Sequence, residues 1–260
     1  MTPLLDVQHV EVSYNGRAVV HDVSLQLEPG EILGIVGESG SGKSTIIKAA
    51  MGLLGNSGAV TRGDIYYKGQ NVIDAGADEI RKMRGPAMGM IFQNTGASLC
   101  PIRSIGDQLY ESISQHEKVS REEVRDRALE LFEKMRLNDG DRILDSYPFE
   151  LSGGMNQRVG IMMAMALKPD LLFADEPTSA LDVTVQAQVV KEMMKMRELY
   201  HTGIVIVTHN IGVVEYMADR IAVMYQGRLL EHGKTEDIIH HPEEAYTKKL
   251  IGSVLRIDRG

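Results

Sequence analysis

Hydrophobic and polar residues alternate near the N-terminus with the period of two that is typical of half-buried strands. This pattern predicts a strand that starts at Leu5 and runs to Tyr14, and a returning strand over 19–27 after an Asn-Gly turn. A second hairpin is predicted where segments 63–67 and 71–73 flank a Lys-Gly-Gln turn. The chain therefore begins with a strand-rich part.

A helical period of three to four residues dominates the middle of the chain. Residues 94–103 contain Gly, Cys and Pro with little periodicity and predict a loop, whereas residues 105–137 predict helix. Ser120 and Glu123 have the spacing of a capping box, which marks a helix start. We therefore expect residues 94–150 to form a mostly helical insertion.

Strand and helix patterns alternate after the insertion. Helices are predicted over 153–167, 183–200 and 213–217, and strands over 171–174, 204–208, 221–225 and 228–231. This alternation implies an α/β fold with a mostly parallel sheet that is covered on both faces. We expect a single domain over 1–260, in which 1–93 and 151–235 form a core with a β subdomain and 236–260 form a C-terminal segment.

A glycine-rich stretch lies between a short apolar run and a predicted helix. Gly37, Gly42, Lys43 and Ser44 match the phosphate-loop pattern G-x-x-x-x-G-K-[ST]. Glycines let successive backbone N–H groups turn towards an anion, and the helix N-terminus adds partial positive charge. Lys43 can reach the β- and γ-phosphates of a nucleotide, and the Ser44 hydroxyl can bind Mg²⁺.

Composition and charge narrow the class of protein. Of the 260 residues, 43% are apolar and 25% are charged, which is ordinary for a globular protein. The net charge of −8 argues against general nucleic-acid binding, and the single cysteine, Cys100, excludes an internal disulfide or a thiolate cluster. No secretory signal and no apolar run of membrane-spanning length is visible, so we expect contact with a membrane only through a partner.

Two adjacent acids follow the predicted strand over 171–174. Ligands of open α/β sheets bind beyond the carboxyl ends of the strands, so Asp175 is expected to face Mg²⁺, through water. Glu176 would then orient or deprotonate an attacking water. A solvated turn is the alternative interpretation.

A second glycine-rich turn, LSGGMNQR, enters the helix that is predicted over 153–167. Ser152, Gly153 and Gly154 offer a hydroxyl and backbone N–H groups at a helix N-terminus, which suits an anion. One ATP does not need two separate cradles, so this turn would bind a nucleotide that is held by another subunit. Taken alone, the turn is also explained by an ordinary helix cap.

Six motifs occur in the order that is typical of ABC transporter ATPases, namely GESGSGKST, MIFQ, LSGGMNQR, LLFADEP, SALD and VTHN. The chain resembles this family from about Leu5 to Gly252. The resemblance implies a P-loop NTPase of the ABC type, with a RecA-like core, an antiparallel β subdomain and a helical insertion. It also implies that two ATP molecules, with Mg²⁺, are bound between two ATPase subunits and hydrolysed.

The resemblance assigns roles to the matching positions. Glu176 would be the catalytic base, with Lys43, Gln93 and His209 as further catalytic residues. Gln93 would contact Mg²⁺ and the attacking water and link to the membrane partner, and His209 would contact the γ-phosphate. The metal would be held by Ser44, Gln93 and Asp175.

The same resemblance gives a larger nucleotide-binding set. Tyr14 would stack on adenine, although an ordinary strand-end tyrosine is the alternative. Ser152 and Gly154 would bind the γ-phosphate in trans, and Asp182 would lie at the subunit interface. The full set is Tyr14, Gly37, Glu38, Ser39, Gly40, Ser41, Gly42, Lys43, Ser44, Thr45, Gln93, Ser152, Gly153, Gly154 and Asp182.

The motifs depart from the family pattern at two places. Asn210 follows His209 where the family usually has Asp, and we expect little effect on hydrolysis. Met155 and Asn156 replace common glutamines in the second turn but leave its glycines unchanged. We therefore expect a site that is competent for hydrolysis.

A narrower resemblance, carried by DEPTSALDVTVQAQVV, SYPFELSGGMNQR and HPEEAYTKKLIGSV, is to importer ATPases for dipeptides, oligopeptides and nickel. Related members often have a longer, cysteine-bearing tail. This sequence has a single cysteine, so we expect no iron–sulfur cluster here. His240 and His241 could suggest a nickel site, but two neighbouring histidines do not complete a metal shell, and a solvated segment is expected.

The resulting prediction is an ATP-hydrolysing subunit that powers an importer for peptides, nickel or metal chelates. Expected partners are an identical or paralogous ATPase, two membrane-spanning permease subunits and, indirectly, an extracytoplasmic binding protein, which implies the cytoplasmic face of the cell membrane. The alternative is a soluble ABC ATPase that is not coupled to transport. A switch GTPase or small-molecule kinase is not favoured, because the sequence has no N-K-x-D motif for guanine and such a function would leave LSGGMNQR unexplained.

Overall fold

The computed structural model describes residues 2–179 and 181–253. The chain divides into two compact units, which are described separately. The first unit comprises Met1–Ile80 and Gly203–Gly260, and the second comprises Arg81–Thr202. Among the described residues, no helix has both the length and the apolar character that a bilayer crossing requires.

The strands, in chain order, are β1 (Leu5–Tyr14), β2 (Arg17–Leu27), β3 (Ile32–Val36), β4 (Gly58–Tyr67), β5 (Gln70–Asn71), β6 (Met88–Ile91), β7 (Leu171–Asp175), β8 (Gly203–Thr208), β9 (Arg220–Tyr225) and β10 (Arg228–Lys234). The α-helices are α1 (Lys43–Ala50), α2 (Ala77–Met83), α3 (Thr95–Ser98), α4 (Ile105–Ser114), α5 (Arg121–Lys134), α6 (Gly140–Asp145), α7 (Gly153–Met165), α8 (Val183–Tyr200), α9 (Ile211–Met217), α10 (Thr235–His240) and α11 (Ala245–Gly252).

An antiparallel sheet in the first unit has the strand order β2-β1-β4-β5. Both predicted hairpins are present, although the second is longer on its first strand and shorter on its second than the sequence pattern predicts. In the first hairpin, Asn15 and Gly16 have φ values of 50° and 78°, the positive values that a two-residue hairpin turn needs. This sheet is the antiparallel β part that the sequence predicts.

Parallel strands form the other sheet region of the first unit. β3 pairs in parallel with both β8 and β9, and β10 pairs antiparallel with β9. All five residues of β3 are buried, as expected for a strand that is covered on both faces. In this register Val36 lies opposite Thr208, so the segments that follow β3 and β8 leave from the same edge.

The second unit contains a parallel pair, β6 and β7, and most of the helices. Every residue of β7 is buried, and Ile91 of β6 lies opposite Ala174. The segments that follow these two strands therefore also leave from one edge of their pair. The helices of this unit bury apolar side chains at helical spacing, including Leu131 and Phe132 of α5.

The capping box at the start of α5 is confirmed. The Ser120 hydroxyl accepts the Glu123 backbone N–H at 3.2 Å, and the Glu123 carboxylate accepts the Ser120 backbone N–H at 2.7 Å. α5 ends at Lys134 rather than continuing to residue 137, because Arg136 adopts a left-handed conformation with φ of 52°.

The loop that is predicted over 94–103 is wrong in part. Residues 95–98 form the short helix α3, and the Asn94 side chain caps it by accepting the Ala97 N–H at 3.1 Å. An Asn cap serves a loop or a helix start equally well, so the sequence pattern alone does not separate the two. The boundaries of the 94–150 insertion stay a prediction.

Candidate functional site

The phosphate loop connects β3 to α1 in the first unit, as the motif requires. Gly37 has φ of 149°, and a Cβ atom there would lie 2.0 Å from the Met224 carbonyl oxygen. Gly42 has φ of 94° and is the N-cap of α1, which has no side-chain cap and no acidic residue in its first turn. The backbone of this loop therefore meets the steric and electrostatic conditions for binding an anion at a helix N-terminus.

Lys43 lies against the loop that precedes it. Its side-chain ammonium donates to the carbonyl oxygens of Gly37 at 2.7 Å and Glu38 at 2.8 Å, and the residue is only 6% exposed. These contacts hold a positive charge inside the concave side of the loop. An ammonium in this position, with three donors, is suited to phosphate oxygens.

His209 follows β8, at the same edge of the parallel strands as the phosphate loop. Its side chain is exposed. Asn210 caps α9, because its side-chain oxygen accepts the Val213 N–H at 3.3 Å. This contact explains the departure from Asp physically, since Asn and Asp are equally good helix caps.

Tyr14, at the end of β1, is half-buried and lies opposite Arg17 and Gly58 in the antiparallel sheet. A Cβ atom on Gly58 would lie 2.6 Å from the Tyr14 ring, so glycine is needed there for the ring to sit where it does. The role of Tyr14 in adenine stacking stays a prediction.

The two acids at the end of β7 lie in the second unit. Asp175 is the last strand residue and is buried, and Glu176 is also buried. Glu176 has φ of 49°, a left-handed conformation that a non-glycine residue adopts only at a cost. The Ser179 hydroxyl and backbone N–H both donate to the Glu176 carbonyl oxygen, at 3.0 and 3.1 Å, and so stabilise this strained turn.

Gln93 lies two residues after β6, the strand that pairs with β7 in the same unit. Its side chain is exposed, and it leaves the strand pair at the same edge as Asp175. The second unit therefore brings an amide and two carboxylates to one edge of this strand pair. Carboxylate and amide oxygens are ligands that suit Mg²⁺.

The second glycine-rich turn is the start of α7. The Ser152 hydroxyl accepts the Met155 N–H at 3.3 Å as the helix cap, and Ser152 and Gly153 are exposed. A Cβ atom on Gly154 would lie 3.0 Å from the Val185 side chain. Asn156 stands where glutamine is common, and its amide donates to the Pro148 carbonyl oxygen at 2.9 Å. Asn156 therefore contacts the segment that precedes the turn.

Asp182 is the N-cap of α8, where its carboxylate accepts the Val185 N–H at 3.0 Å. This contact gives it a structural function in the single chain, and its place at a subunit interface stays a prediction. His240 ends α10 and His241 follows it. Across the part of the chain that is described, no group of three or more His, Cys, Asp or Glu side chains could hold a metal ion.

A buried ion pair behind the second turn was not predicted from the sequence. The Arg158 guanidinium of α7 donates to the Glu192 carboxylate of α8 at 2.7 Å and to the Met135 carbonyl oxygen at 2.9 Å. Burial raises the pKa of Glu192, although Arg158 acts in the opposite direction. The apolar periodicity of the two helices gives no signal for this pair, because charged residues on helices are usually solvated.

Comparison with known families supports one assignment. The family described as "ABC transporter" matches residues 20–179, which is more than half of the chain. The match includes the phosphate loop, the second glycine-rich turn and the two acids after β7.

Curated relatives cover almost the whole chain. The probable D,D-dipeptide transport ATP-binding protein DdpD of Escherichia coli (strain K12) is 43% identical over 96% of this chain and 77% of its own length. The dipeptide transport ATP-binding protein DppD of Lactococcus lactis subsp. cremoris (strain MG1363) is 40% identical over 98% of this chain and 74% of its own length. The oligopeptide transport ATP-binding protein OppD of Bacillus subtilis (strain 168) is 41% identical over 98% of this chain and 72% of its own length.

Solved structures with the same fold include cbiO1 from Clostridium perfringens, which is part of the ABC transporter complex cbiONQ. It is 25% identical, covers 92% of this chain and 91% of its own, and superposes with a TM-score of 0.79. A dimeric post-hydrolysis state of the ATP-binding cassette MJ0796, bound to ADP and Pi, is 29% identical. It covers 89% of this chain and 98% of its own, with a TM-score of 0.78. The chain therefore belongs to the ABC transporter family and is an ATP hydrolase of the P-loop α/β fold.

Proposed function

We propose that this ATPase powers an importer for dipeptides or oligopeptides. The observation that carries the proposal is the identity of about 40% with dipeptide and oligopeptide transport ATP-binding proteins over nearly the whole chain. Because catalytic motifs are shared by all ABC ATPases, it is this full-length similarity that favours peptides as cargo. Nickel and metal chelates are the competing cargo, whereas these three relatives are named for the transport of dipeptides or oligopeptides.

The nucleotide would be bound by residues of the phosphate loop, 37–45, with Tyr14 against the adenine. Lys43, which already holds its charge inside the loop, would neutralise the β- and γ-phosphates. The backbone N–H groups at the start of α1 would bind the phosphate oxygens, and the helix dipole adds to their attraction. His209 would contact the γ-phosphate.

Ser44, Gln93 and Asp175 would hold Mg²⁺ through hydroxyl, amide and carboxylate oxygens, which suit this ion, and the ion would keep several waters. When bound, Mg²⁺ would neutralise charge on the phosphate oxygens. Glu176 would accept a proton from the attacking water, and its left-handed backbone, with φ of 49°, lies directly after β7. Phosphoryl transfer needs mostly positioning and charge stabilisation, which these residues are suited to supply.

A second ATPase subunit, identical or paralogous, would complete the site. Its Ser152, Gly153 and Gly154 would bind the γ-phosphate of the first subunit, with Asp182 at the interface. ATP binding would then close the dimer and hydrolysis would reopen it. Two permease subunits would transmit this motion to the cargo, at the cytoplasmic face of the cell membrane, and an extracytoplasmic binding protein would deliver the cargo.

The test is uptake by the reconstituted transporter. The chain is combined with its permease and binding-protein partners in proteoliposomes with ATP inside. The accumulation of labelled di- to hexapeptides and of ⁶³Ni²⁺ is then measured. We expect ATP-dependent peptide uptake that is abolished by Lys43→Ala. The control Lys118→Ala, which removes an exposed lysine outside the proposed site, should leave uptake intact. Nickel uptake without peptide uptake, or no ATP-dependent uptake of either, would contradict the proposal.

A further inference from the structure

The C-terminal helix α11 contacts the phosphate loop through one side chain. The backbone N–H of Glu38 donates a hydrogen bond to the Tyr246 hydroxyl oxygen, at 3.0 Å. The two residues are 208 positions apart in the chain and both lie in the first unit. None of the six family motifs includes this tyrosine.

The peptide group that joins Gly37 to Glu38 is held on both sides. Its N–H donates to Tyr246, and its carbonyl oxygen, which belongs to Gly37, accepts the Lys43 ammonium at 2.7 Å. A hydrogen-bonded chain therefore runs from the Tyr246 hydroxyl through one peptide group to Lys43. Hydrogen bonds in such chains polarise and strengthen one another.

Tyr246 is held in place by packing. Its ring lies against the ring of Tyr225, with centroids 4.3 Å apart and a tilt of 36°. Ile251 of the same helix is buried in an apolar cluster with Val36, the last residue of β3, and with Val214 of α9. The helix that carries Tyr246 therefore shares an apolar cluster with the strand that leads into the phosphate loop.

The start of α11 is also fixed. The Glu231 carboxylate of β10 accepts the backbone N–H groups of Glu243 at 2.7 Å and Glu244 at 3.2 Å. Burial raises the pKa of the Tyr246 hydroxyl, and the negative charge of Glu38 adds to this effect, so the hydroxyl stays protonated at neutral pH. A neutral hydroxyl remains a good acceptor for the Glu38 N–H.

We propose that Tyr246 is a positioning residue for ATP binding, which fixes the Gly37–Glu38 peptide and thereby the Lys43 ammonium in the phosphate loop. The docking of α11 is then linked to nucleotide affinity, because undocking would release the peptide group that Lys43 contacts. This inference rests on the proposed nucleotide site but not on the cargo or on the membrane partners.

Removal of the hydroxyl alone tests the inference. Tyr246→Phe keeps the ring and its packing, and we expect the KM for ATP and the Kd for a fluorescent mant-ATP analogue to rise about three- to tenfold, the effect of one lost hydrogen bond. The kcat should stay within about twofold, since the contact is made before and during the reaction alike. The melting temperature without nucleotide should be unchanged, whereas its increase on ATP binding should be smaller.

The matched control is Tyr225→Phe, which removes a neighbouring hydroxyl whose contact is with the exposed Gln226 side chain. We expect this variant to bind ATP like the wild type. Equal affinity of Tyr246→Phe and wild type, an equal loss in both variants, or a loss that is accompanied by a lower melting temperature without nucleotide would overturn the inference. Unchanged mant-ATP binding by Lys43→Ala would instead contradict the proposed nucleotide site itself.

Discussion

Replacement of Arg158 by methionine should destabilise the protein far more than the loss of an exposed charge would. The Arg158 guanidinium lies between two segments of the second unit, where it contacts Glu192 of α8 and the carbonyl oxygens of Met135 and Arg136 after α5. Its side chain is 10% exposed and that of Glu192 is 6% exposed. The substitution would leave a buried carboxylate and two carbonyl groups without this donor.

The magnitude follows from that burial. Removing one partner of a buried ion pair costs about 3–5 kcal/mol, against about 0–1 kcal/mol for an exposed pair. Since about 1 kcal/mol shifts the melting temperature of a chain of this size by about 2–4 °C, the expected decrease is roughly 6–20 °C. A double substitution, Arg158→Met with Glu192→Met, should recover part of this loss because no charge remains buried.

The pH dependence has a definite sign. Burial already raises the pKa of Glu192 in the wild type, against the opposing effect of Arg158, and the loss of Arg158 would raise it further. A carboxyl group with a raised pKa in the folded state favours folding below its unfolded pKa, and this contribution is lost as the pH rises through the folded pKa. The deficit of Arg158→Met should therefore be smaller at pH 5 than at pH 8.

The assay is thermal and guanidinium unfolding of wild type, both single variants and the double variant. The control is Arg125→Met, which removes an arginine that is 38% exposed and pairs with Asp141 and Asp145. If Arg158→Met is no less stable than Arg125→Met, or if the double variant loses the sum of the single losses, the buried pair does not stabilise this unit as argued.

Three further predictions concern local features of the fold. Gly37→Ala should lower the free energy of unfolding without nucleotide by about 3 kcal/mol or more, because the added Cβ atom would lie 2.0 Å from the Met224 carbonyl oxygen. Gly40→Ala should lower it by only about 1–2 kcal/mol, the cost of a left-handed backbone, because its Cβ atom would have no neighbour within 4 Å; equal losses would contradict the steric argument. Ser120→Ala should cost about 1 kcal/mol by loss of the α5 cap, measured by urea unfolding, and no loss would mean that the cap is not formed in solution. Burial raises the pKa of Glu231, but the N–H groups of Glu243 and Glu244 and the charge of Lys248 outweigh this and hold the pKa below its ordinary value. Wild type should therefore lose stability as the pH falls through this lowered pKa, and Glu231→Gln should lose less; parallel pH profiles would refute this.

The parts of the site that depend on neighbouring residues could be predicted from the sequence. The phosphate loop needs a buried strand, glycines at fixed places and a helix start, and all of these lie within a short stretch between Ile32 and Ala50. The capping box of α5 is equally local, since Ser120 and Glu123 are three residues apart. Family membership followed from six such local motifs in a fixed order, and the comparisons confirm it.

Contacts between distant residues could not be predicted in the same way. Tyr246 lies in a segment whose only signal in the sequence is its resemblance to importers, and nothing near it in the chain indicates that its hydroxyl contacts Glu38. Arg158 was part of a recognised motif, yet its partner Glu192 lies on another helix. Such pairs depend on how elements pack, and packing leaves no periodic pattern in a single sequence.

Backbone conformation accounts for the remaining differences. The strained turn at Glu176 has φ of 49°, and Arg136 ends α5 with φ of 52°. Neither residue type favours a left-handed conformation, so propensity alone would place both elsewhere. At Glu176 the strain coincides with the position to which the sequence assigns the catalytic base, as is often found at functional sites.

The central claim is that Glu176 activates water for ATP hydrolysis in a closed dimer, and Glu176→Gln tests it most directly. The purified chain and this variant are mixed with ATP and Mg²⁺, and phosphate release and molar mass in solution are measured together. The account predicts that the variant binds ATP, releases phosphate at least about 100-fold more slowly and accumulates as a dimer, while Glu198→Gln, an exposed change on α8, behaves like the wild type. Phosphate release at the wild-type rate by Glu176→Gln would contradict the account.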